Sequence, residues 1–153
     1  MARALVIGYG NTLRADDGLG PAVAEWLESE WADEDVRVLA CQLLTPELAE
    51  PVSRAEMVVF IDAVTAGRPG EVSCARVEPD RARASSFTHH FDPAGLLALA
   101  EELYGRAPAA YALTVCGESF DCTEGLTETV AARVPEVAEK ARELVRRALA
   151  GRP

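Results

Sequence analysis

Two aspartates and a pair of histidines are the residues whose types could do chemistry together. Asp17 ends a glycine-rich segment, Asp62 follows the apolar run MVVFI, and His89 and His90 are the two histidines of the sequence. Imidazole suits nickel or zinc, and carboxylates bind many divalent ions. Two carboxylates and one imidazole therefore predict a site for a divalent metal, although the residue types do not identify the metal.

Each of these residues also has a purely structural explanation. Asp17 could stabilise the N-terminus of the following helix, where carboxylates are favoured. Asp62, at the end of a predicted strand, could accept hydrogen bonds from nearby backbone N–H groups. His89 and His90 could be solvated loop residues. The metal-site interpretation therefore depends on a fold that brings the three segments together.

The elements that must position these residues alternate between strands and helices. Uninterrupted apolar runs predict strands that are buried on both faces. Five strands are expected, at 4–7, 36–40, 57–61, 71–77 and 113–115. Four helices are expected, at 21–30, 46–53, 93–104 and 127–150. Pro135 is expected to kink the last helix or to split off its first turn.

This alternation predicts an α/β fold with a largely parallel, twisted sheet and helices on both faces. In such sheets the functional crevice lies beyond the carboxyl ends of the strands. The rule selects three loops: those after Ile7, at Asp62 and before Asp92. They hold Asp17, Asp62 and the histidines, so we expect these residues to meet at one edge of the sheet.

Composition excludes several classes of function. The chain has 153 residues, which suits one domain with one core. Its net charge of −10 argues against binding to nucleic acid or to anionic membranes, both of which need a basic surface. No apolar run approaches the ~20 residues of a membrane-spanning helix, and the first residues do not form a signal peptide. We therefore expect a cytoplasmic protein.

The four cysteines predict neither a zinc site nor a thioredoxin-type redox site. None of them forms a C-x-x-C pair, which both kinds of site would favour. They are Cys41, Cys74, Cys116 and Cys122. Free and mostly buried thiols are expected, as is usual in a cytosolic chain.

The glycine-rich segment partly matches the dinucleotide-binding pattern G-x-G-x-x-G. It begins Gly8-Tyr9-Gly10, but Leu13 occupies the position of the third glycine. Asp16 and Asp17 follow and would repel a pyrophosphate, so nucleotide binding is a disfavoured alternative. The sequence contains neither the G-x-S-x-G nor the H-E-x-x-H motif of other hydrolases.

Three motifs together resemble the hydrogenase maturation endopeptidases, which trim the large subunit of nickel-iron hydrogenases. The motifs are G-x-G-N-x-L-x-x-D-D-G-x-G at 8–20, V-V-F-I-D-A at 58–63 and H-x-x-D-P-x-x-L-L at 89–97. The resemblance covers nearly the whole chain in the same order. It implies a single three-layer α/β/α domain, residues 1–153, with about five strands. Several family members carry Asp-Gly-Gly where this chain has Ala40-Cys41-Gln42, so substrate contacts of that segment do not carry over.

The resemblance also implies the partner and the metal. The partner is the precursor of a nickel-iron hydrogenase large subunit, and its own nickel is the recognition element, so no permanently bound cofactor is expected. Asp17, Asp62 and one histidine form the metal site. His89 fits the motif spacing, whereas His90 is displaced by one position.

The implied reaction is hydrolysis of one peptide bond, which removes the C-terminal extension of the precursor. Asp17 and Asp62 are the candidate catalytic residues, one of them as general base on a water molecule. The backbone N–H groups around Gly8, Gly10 and Asn11 are candidates for substrate binding and for holding the oxyanion. A pair of aspartates that share a proton is an alternative mechanism. A nickel-sensing chaperone that cuts nothing is an alternative function.

Overall fold

The structure, a computed structural model, describes residues 2–83 and 91–150 and has a five-stranded sheet at its centre. The strands are β1 (Ala4–Tyr9), β2 (Val36–Cys41), β3 (Met57–Val64), β4 (Val72–Val77) and β5 (Ala109–Cys116). Their order is β2-β1-β3-β5-β4. All neighbours pair in parallel except β4, which is antiparallel to β5. The predicted α/β fold with a largely parallel sheet is therefore confirmed.

Helices cover both faces of this sheet. They are α1 (Leu19–Glu30), α2 (Ala49–Arg54), α3 (Pro93–Tyr104), α4 (Glu128–Ala131) and α5 (Val134–Ala150). Buried residues of α1 and α5 form one apolar cluster with one face of the sheet. Residues of α2 and α3 form a second cluster with the other face. No helix in these two described ranges is long and apolar enough to span a membrane.

Both faces of strand β3 are buried, which explains why its sequence does not alternate between polar and apolar residues. Val59 and Ile61 belong to the α1–α5 cluster, whereas Val58 and Phe60 belong to the α2–α3 cluster. Successive side chains of a strand point to opposite faces, and here both faces are buried, so every position is apolar. By the same alternation, Asp62 lies on the face of Val58 and Phe60, towards α2 and α3.

The structure corrects two of the predicted elements and agrees with the expected division of a third. Strand β3 continues to Val64, because its pairing with β5 extends to Cys116, so Asp62 lies inside a strand and not at its end. The helix expected at 46–53 divides into a 3-10 turn and α2, because Pro51 has no N–H to donate four residues back. The last helix divides into α4 and α5 just before Pro135, as predicted.

The cysteines are free, but the prediction that they are mostly buried is wrong. Cys116 is buried and Cys41 is partly buried, whereas Cys74 and Cys122 are exposed. Cys74 lies on the edge strand β4, and Cys122 lies in the segment that follows β5.

Candidate active site

The two candidate aspartates lie at the point where the strand order reverses. After β1 the chain moves to β2 on one side of the sheet, and after β3 it moves to β4 on the other side. Ligands of open α/β sheets bind in the crevice beyond the carboxyl ends of such a pair of strands. Asp17 follows β1, and Asp62 lies near the carboxyl end of β3. The topology therefore places both acids at the expected crevice.

Glycines allow the start of α1 to sit directly on the ends of β1 and β3. A Cβ atom on Gly20 would lie 2.4 Å from the Tyr9 carbonyl oxygen and 2.5 Å from that of Ile61. A Cβ on Gly8 would lie 2.0 Å from the Gly20 carbonyl oxygen. Only glycine permits backbone contacts this close. Gly8 and Gly20 thus allow α1 to pack closely against the strands, and this packing brings Asp17 beside β3.

Asp17 is held by the first loop (residues 10–18), which connects β1 to α1. Its Oδ2 atom accepts a hydrogen bond from the backbone N–H of Asn11, with an N–O distance of 2.7 Å. The side chain of Asn11 in turn accepts from the N–H of Leu13 at 2.9 Å. Gly10 permits this turn, because its φ is +148° and a Cβ would lie 1.9 Å from the Asp17 carbonyl oxygen. Asp17 remains partly exposed, so its carboxylate is accessible to a ligand.

Asp62 is a carboxyl group of the site whose environment disfavours its charge. Burial and the negative charge of Asp17 raise the pKa of Asp62 from 3.8 to about 6. Hydrogen bonds from the Tyr9 hydroxyl and the Ala63 N–H act in the opposite direction but do not cancel this rise. The Ala63 N–H lies 2.8 Å from Oδ1. Because the charge of Asp17 is felt at Asp62, the two carboxylates share one electrostatic environment.

Tyr9 is a site residue that no sequence motif identifies by itself. It ends β1 and packs against the α2–α3 cluster, on the same face as Asp62. Burial and the nearby Asp62 carboxylate strongly raise the pKa of its hydroxyl, which therefore stays protonated and donates to Asp62. The only signal in the sequence is a tyrosine between the two glycines of G-x-G.

Asp16 has a structural role that differs from helix capping. The side chain is fully buried and accepts from the Glu118 N–H at 2.8 Å, the Ser119 N–H at 3.1 Å and the Thr127 N–H at 2.8 Å. The Thr127 hydroxyl also donates to it. Burial alone would raise the pKa of Asp16, but these hydrogen bonds outweigh burial and lower it. Asp16 thus fastens the segment after β5 to the first loop.

The backbone N–H groups predicted to bind substrate are already engaged. The Gly10 N–H donates to the Cys41 carbonyl at 3.1 Å, and the Asn11 N–H donates to Asp17. Gly8 lies within β1, which pairs with a strand on either side. These hydrogen bonds argue against Gly10 and Asn11 as oxyanion donors in this arrangement, and substrate binding by the three residues stays a prediction.

Both histidines lie outside the described residues. Within residues 2–83 and 91–150, no group of three side chains is suited to hold a metal ion. Asp92, just after the histidines in sequence, caps α3 through the Gly95 N–H at 2.9 Å and pairs with Arg83. Its charge also raises the pKa of the Tyr9 hydroxyl, so the start of α3 lies near Tyr9. The three-residue metal site, with His89 or His90, stays a prediction.

The fold, with its acid pair at the crevice, is similar to that of solved hydrogenase maturation endopeptidases. The hydrogenase maturating endopeptidase HybD from E. coli matches with a TM-score of 0.79 and 26% sequence identity, over 96% of this chain and 94% of that chain. A hydrogenase 2 maturation peptidase from a Thaumarchaeota archaeon matches with a TM-score of 0.69 and 29% identity, over 97% and 98%. The resemblance indicated by the sequence motifs is therefore confirmed.

A third structure supports the fold alone. The [NiFe] hydrogenase maturation protease HycI from Thermococcus kodakarensis matches with a TM-score of 0.75 and 23% identity, over 95% of this chain and 93% of that chain. No family model matches the sequence, and no curated protein matches it either.

Proposed function

We propose that this chain is an endopeptidase that removes the C-terminal extension of a nickel-loaded hydrogenase large-subunit precursor. The observation that carries the proposal is the convergence of Asp17 and Asp62 at the crevice where the strand order reverses. The structures it resembles are named maturation endopeptidases, which supports a peptidase and hence a hydrolase. The precursor as partner comes from that same resemblance.

Substrate-bound nickel is the proposed recognition element. Burial is the main cause of the raised pKa of Asp62, and the negative charge of Asp17 raises it further, so the two carboxylates repel each other. A divalent cation delivered by the substrate would relieve this repulsion, and carboxylates together with imidazole are suitable ligands for nickel. In the proposed complex, Asp17, Asp62 and His89 complete the coordination of nickel that the precursor already holds. The resting enzyme then needs no metal of its own.

Asp62 is the proposed general base for hydrolysis. It would take a proton from a water molecule as that water attacks the scissile carbonyl carbon, and the proton would then pass to the departing amine. A pKa of about 6 leaves Asp62 largely ionised at neutral pH, while it is basic enough to accept a proton. The alternative, two aspartates that share one proton, needs a protonated acid at the working pH. The pKa of Asp62 favours the general-base route near neutrality.

The main competing function is a nickel-sensing chaperone that binds the precursor and cuts nothing. Incubation of the purified chain with nickel-loaded precursor, followed by intact-mass measurement, separates the two functions. An endopeptidase shortens the precursor by one C-terminal fragment. An unchanged precursor mass, with binding retained, would favour the chaperone and refute the proposed activity.

Variants of Asp62 test its proposed double role. Asp62→Asn keeps the shape of the side chain but removes its charge and its ability to accept the proton of water. We expect weaker binding of nickel-loaded precursor and a cleavage rate that falls further, by about 10²–10⁴-fold. Asp33→Asn, at the opposite end of the strands, is the matched control. Wild-type cleavage by Asp62→Asn would remove Asp62 from the mechanism.

A further inference from the structure

Tyr9 and Asp62 lie side by side at the carboxyl ends of β1 and β3. Gly8 pairs with Ile61, so the next position along each strand brings Tyr9 opposite Asp62. Neighbouring strands are only about 4.8 Å apart. Tyr9 packs against the α2–α3 cluster, and Asp62 lies on the same face as Phe60 by strand alternation. The backbone register of two paired strands therefore sets the position of the tyrosine relative to the acid.

The Tyr9 hydroxyl donates its hydrogen bond to Asp62, although a second carboxylate is near. The charge of Asp92 also acts on this hydroxyl. However, Oδ1 of Asp92 accepts from the Gly95 N–H at 2.9 Å, and Oδ2 pairs with Arg83. Both oxygens of Asp92 thus have donors of their own. The hydroxyl therefore serves the acid of the candidate site and not the cap of α3.

Donors from two strands hold the Asp62 carboxylate. The Ala63 N–H, on β3 itself, lies 2.8 Å from Oδ1, and the Tyr9 hydroxyl reaches across from β1. The terminal torsion of an aspartate has a broad range when nothing holds it. Two donors in fixed positions narrow that range, as supporting hydrogen bonds do in preorganised sites. Asp62 remains partly exposed, so the held carboxylate is still accessible from the crevice.

Packing alone does not explain the hydroxyl of Tyr9. The ring packs against the apolar α2–α3 cluster, and a phenylalanine ring could make the same contacts. The motif G-x-G-N at 8–11 leaves the residue type at this position open. A tyrosine hydroxyl near the core needs a hydrogen-bond partner, and here the partner is Asp62. The extra oxygen therefore has its explanation in the site.

We propose that Tyr9 is a positioning residue, whose hydroxyl holds the Asp62 carboxylate in the orientation from which it takes a proton from the attacking water. The inference rests on the proposed function and adds to it a residue that acts through Asp62. Proton transfer requires a base within hydrogen-bond reach of the water, and small misplacements of reacting groups are costly. Attraction of the carboxylate charge for nickel depends less on orientation. Tyr9 therefore affects turnover more than binding.

Tyr9→Phe keeps the ring and removes the hydroxyl. We expect kcat for nickel-loaded precursor to fall by about tenfold to 100-fold, while KM changes by less than about threefold. Tyr111→Phe is the matched control, because Tyr111 is also a partly buried strand tyrosine but packs on the opposite face of the sheet. The control should keep both constants. A fall in kcat of less than about tenfold, or a KM that rises as much as kcat falls, overturns the proposal.

A double-mutant cycle separates positioning from packing. Unfolding in urea at neutral pH is measured for wild type, Tyr9→Phe, Asp62→Ala and the double variant. Tyr9→Phe should raise the unfolding equilibrium constant at least about fivefold more in the wild-type background than in the Asp62→Ala background, because only the former has the carboxylate to lose its donor. A smaller difference between the backgrounds traces any loss of kcat to packing and overturns the proposal.

Failure of the positioning role and failure of the proposed function give different results. A wild-type chain that does not shorten the precursor refutes the function, and the unfolding cycle then decides alone whether the hydroxyl holds the carboxylate. Cleavage by wild type with an unchanged kcat in Tyr9→Phe refutes the role of Tyr9 and leaves the function standing.

Discussion

Asp62→Asn should make the protein more stable at neutral pH while it removes the proposed activity. The pKa of Asp62 is raised from 3.8 to about 6, by burial first and by the charge of Asp17. Ionised Asp62 is therefore less stable in the folded chain than in the unfolded chain. The rise corresponds to about 3 kcal/mol at ~1.4 kcal/mol per pH unit. Because the side chain is only partly buried, we expect about 1–2 kcal/mol after solvent screening.

The pH dependence of this difference identifies its cause. Well below the ordinary pKa of 3.8 the carboxyl group is neutral in both states, so wild type and Asp62→Asn should unfold with similar free energies. Between about pH 4 and pH 6 the folded chain binds the proton more tightly than the unfolded chain does. Wild-type stability relative to the variant therefore falls as pH rises, and the difference becomes constant above about pH 6.

Urea unfolding of wild type, Asp62→Asn and the control Asp33→Asn across this pH range measures the effect. The two-state free energies should diverge only for Asp62→Asn, in favour of the variant. A difference that is independent of pH, or a variant that is less stable at pH 7, would refute the claim that Asp62 is held in an unfavourable ionised state. A loss of folding stability of the kind expected for ionised Asp62 is typical of residues that are retained for function.

Three further predictions concern single residues. His89→Ala should abolish processing of nickel-loaded precursor, whereas His90→Ala should leave it mostly intact. Processing is followed by the shift of the precursor on gels, and the reverse result would assign the ligand to His90. Asp16→Ala should lower the free energy of unfolding, measured by urea denaturation, by about 2–4 kcal/mol, because four hydrogen-bond donors lose their acceptor. A loss under ~1 kcal/mol would contradict the role of Asp16 as a buried anchor. Gly20→Ala should lower the free energy of unfolding by about 1–3 kcal/mol, because the new Cβ would overlap backbone oxygens of β1 and β3. An unchanged melting temperature would show that α1 can shift to make room for the Cβ.

Local chemistry made several elements predictable from sequence. Asp92-Pro93 predicts the start of α3, and Gly105 predicts its end. The structure shows the Asp92 cap and a Gly105 φ of 74°. Both signals act within one helical turn, so no tertiary information is needed. The uninterrupted apolar run before Asp62 likewise predicts a strand covered on both faces, and hence the layered fold.

Features that depend on distant contacts were not predictable. The partners of Asp16 lie more than 100 residues away in sequence, so no local pattern distinguishes this buried anchor from the adjacent Asp17, which faces the crevice. The role of Tyr9 depends on the neighbouring strand β3. The extension of β3 beyond Asp62 depends on its pairing with β5, which a strand boundary based on hydrophobicity cannot reveal.

Cleavage that requires nickel in the substrate is the central claim, and one comparison tests it most directly. The same precursor is prepared with and without nickel, and each form is incubated with wild-type chain while its intact mass is followed. The account predicts a C-terminal truncation of the nickel-loaded precursor alone, and its loss with Asp62→Asn but not with Asp33→Asn. Equal truncation of both forms by the wild-type chain would contradict recognition through nickel at Asp17 and Asp62.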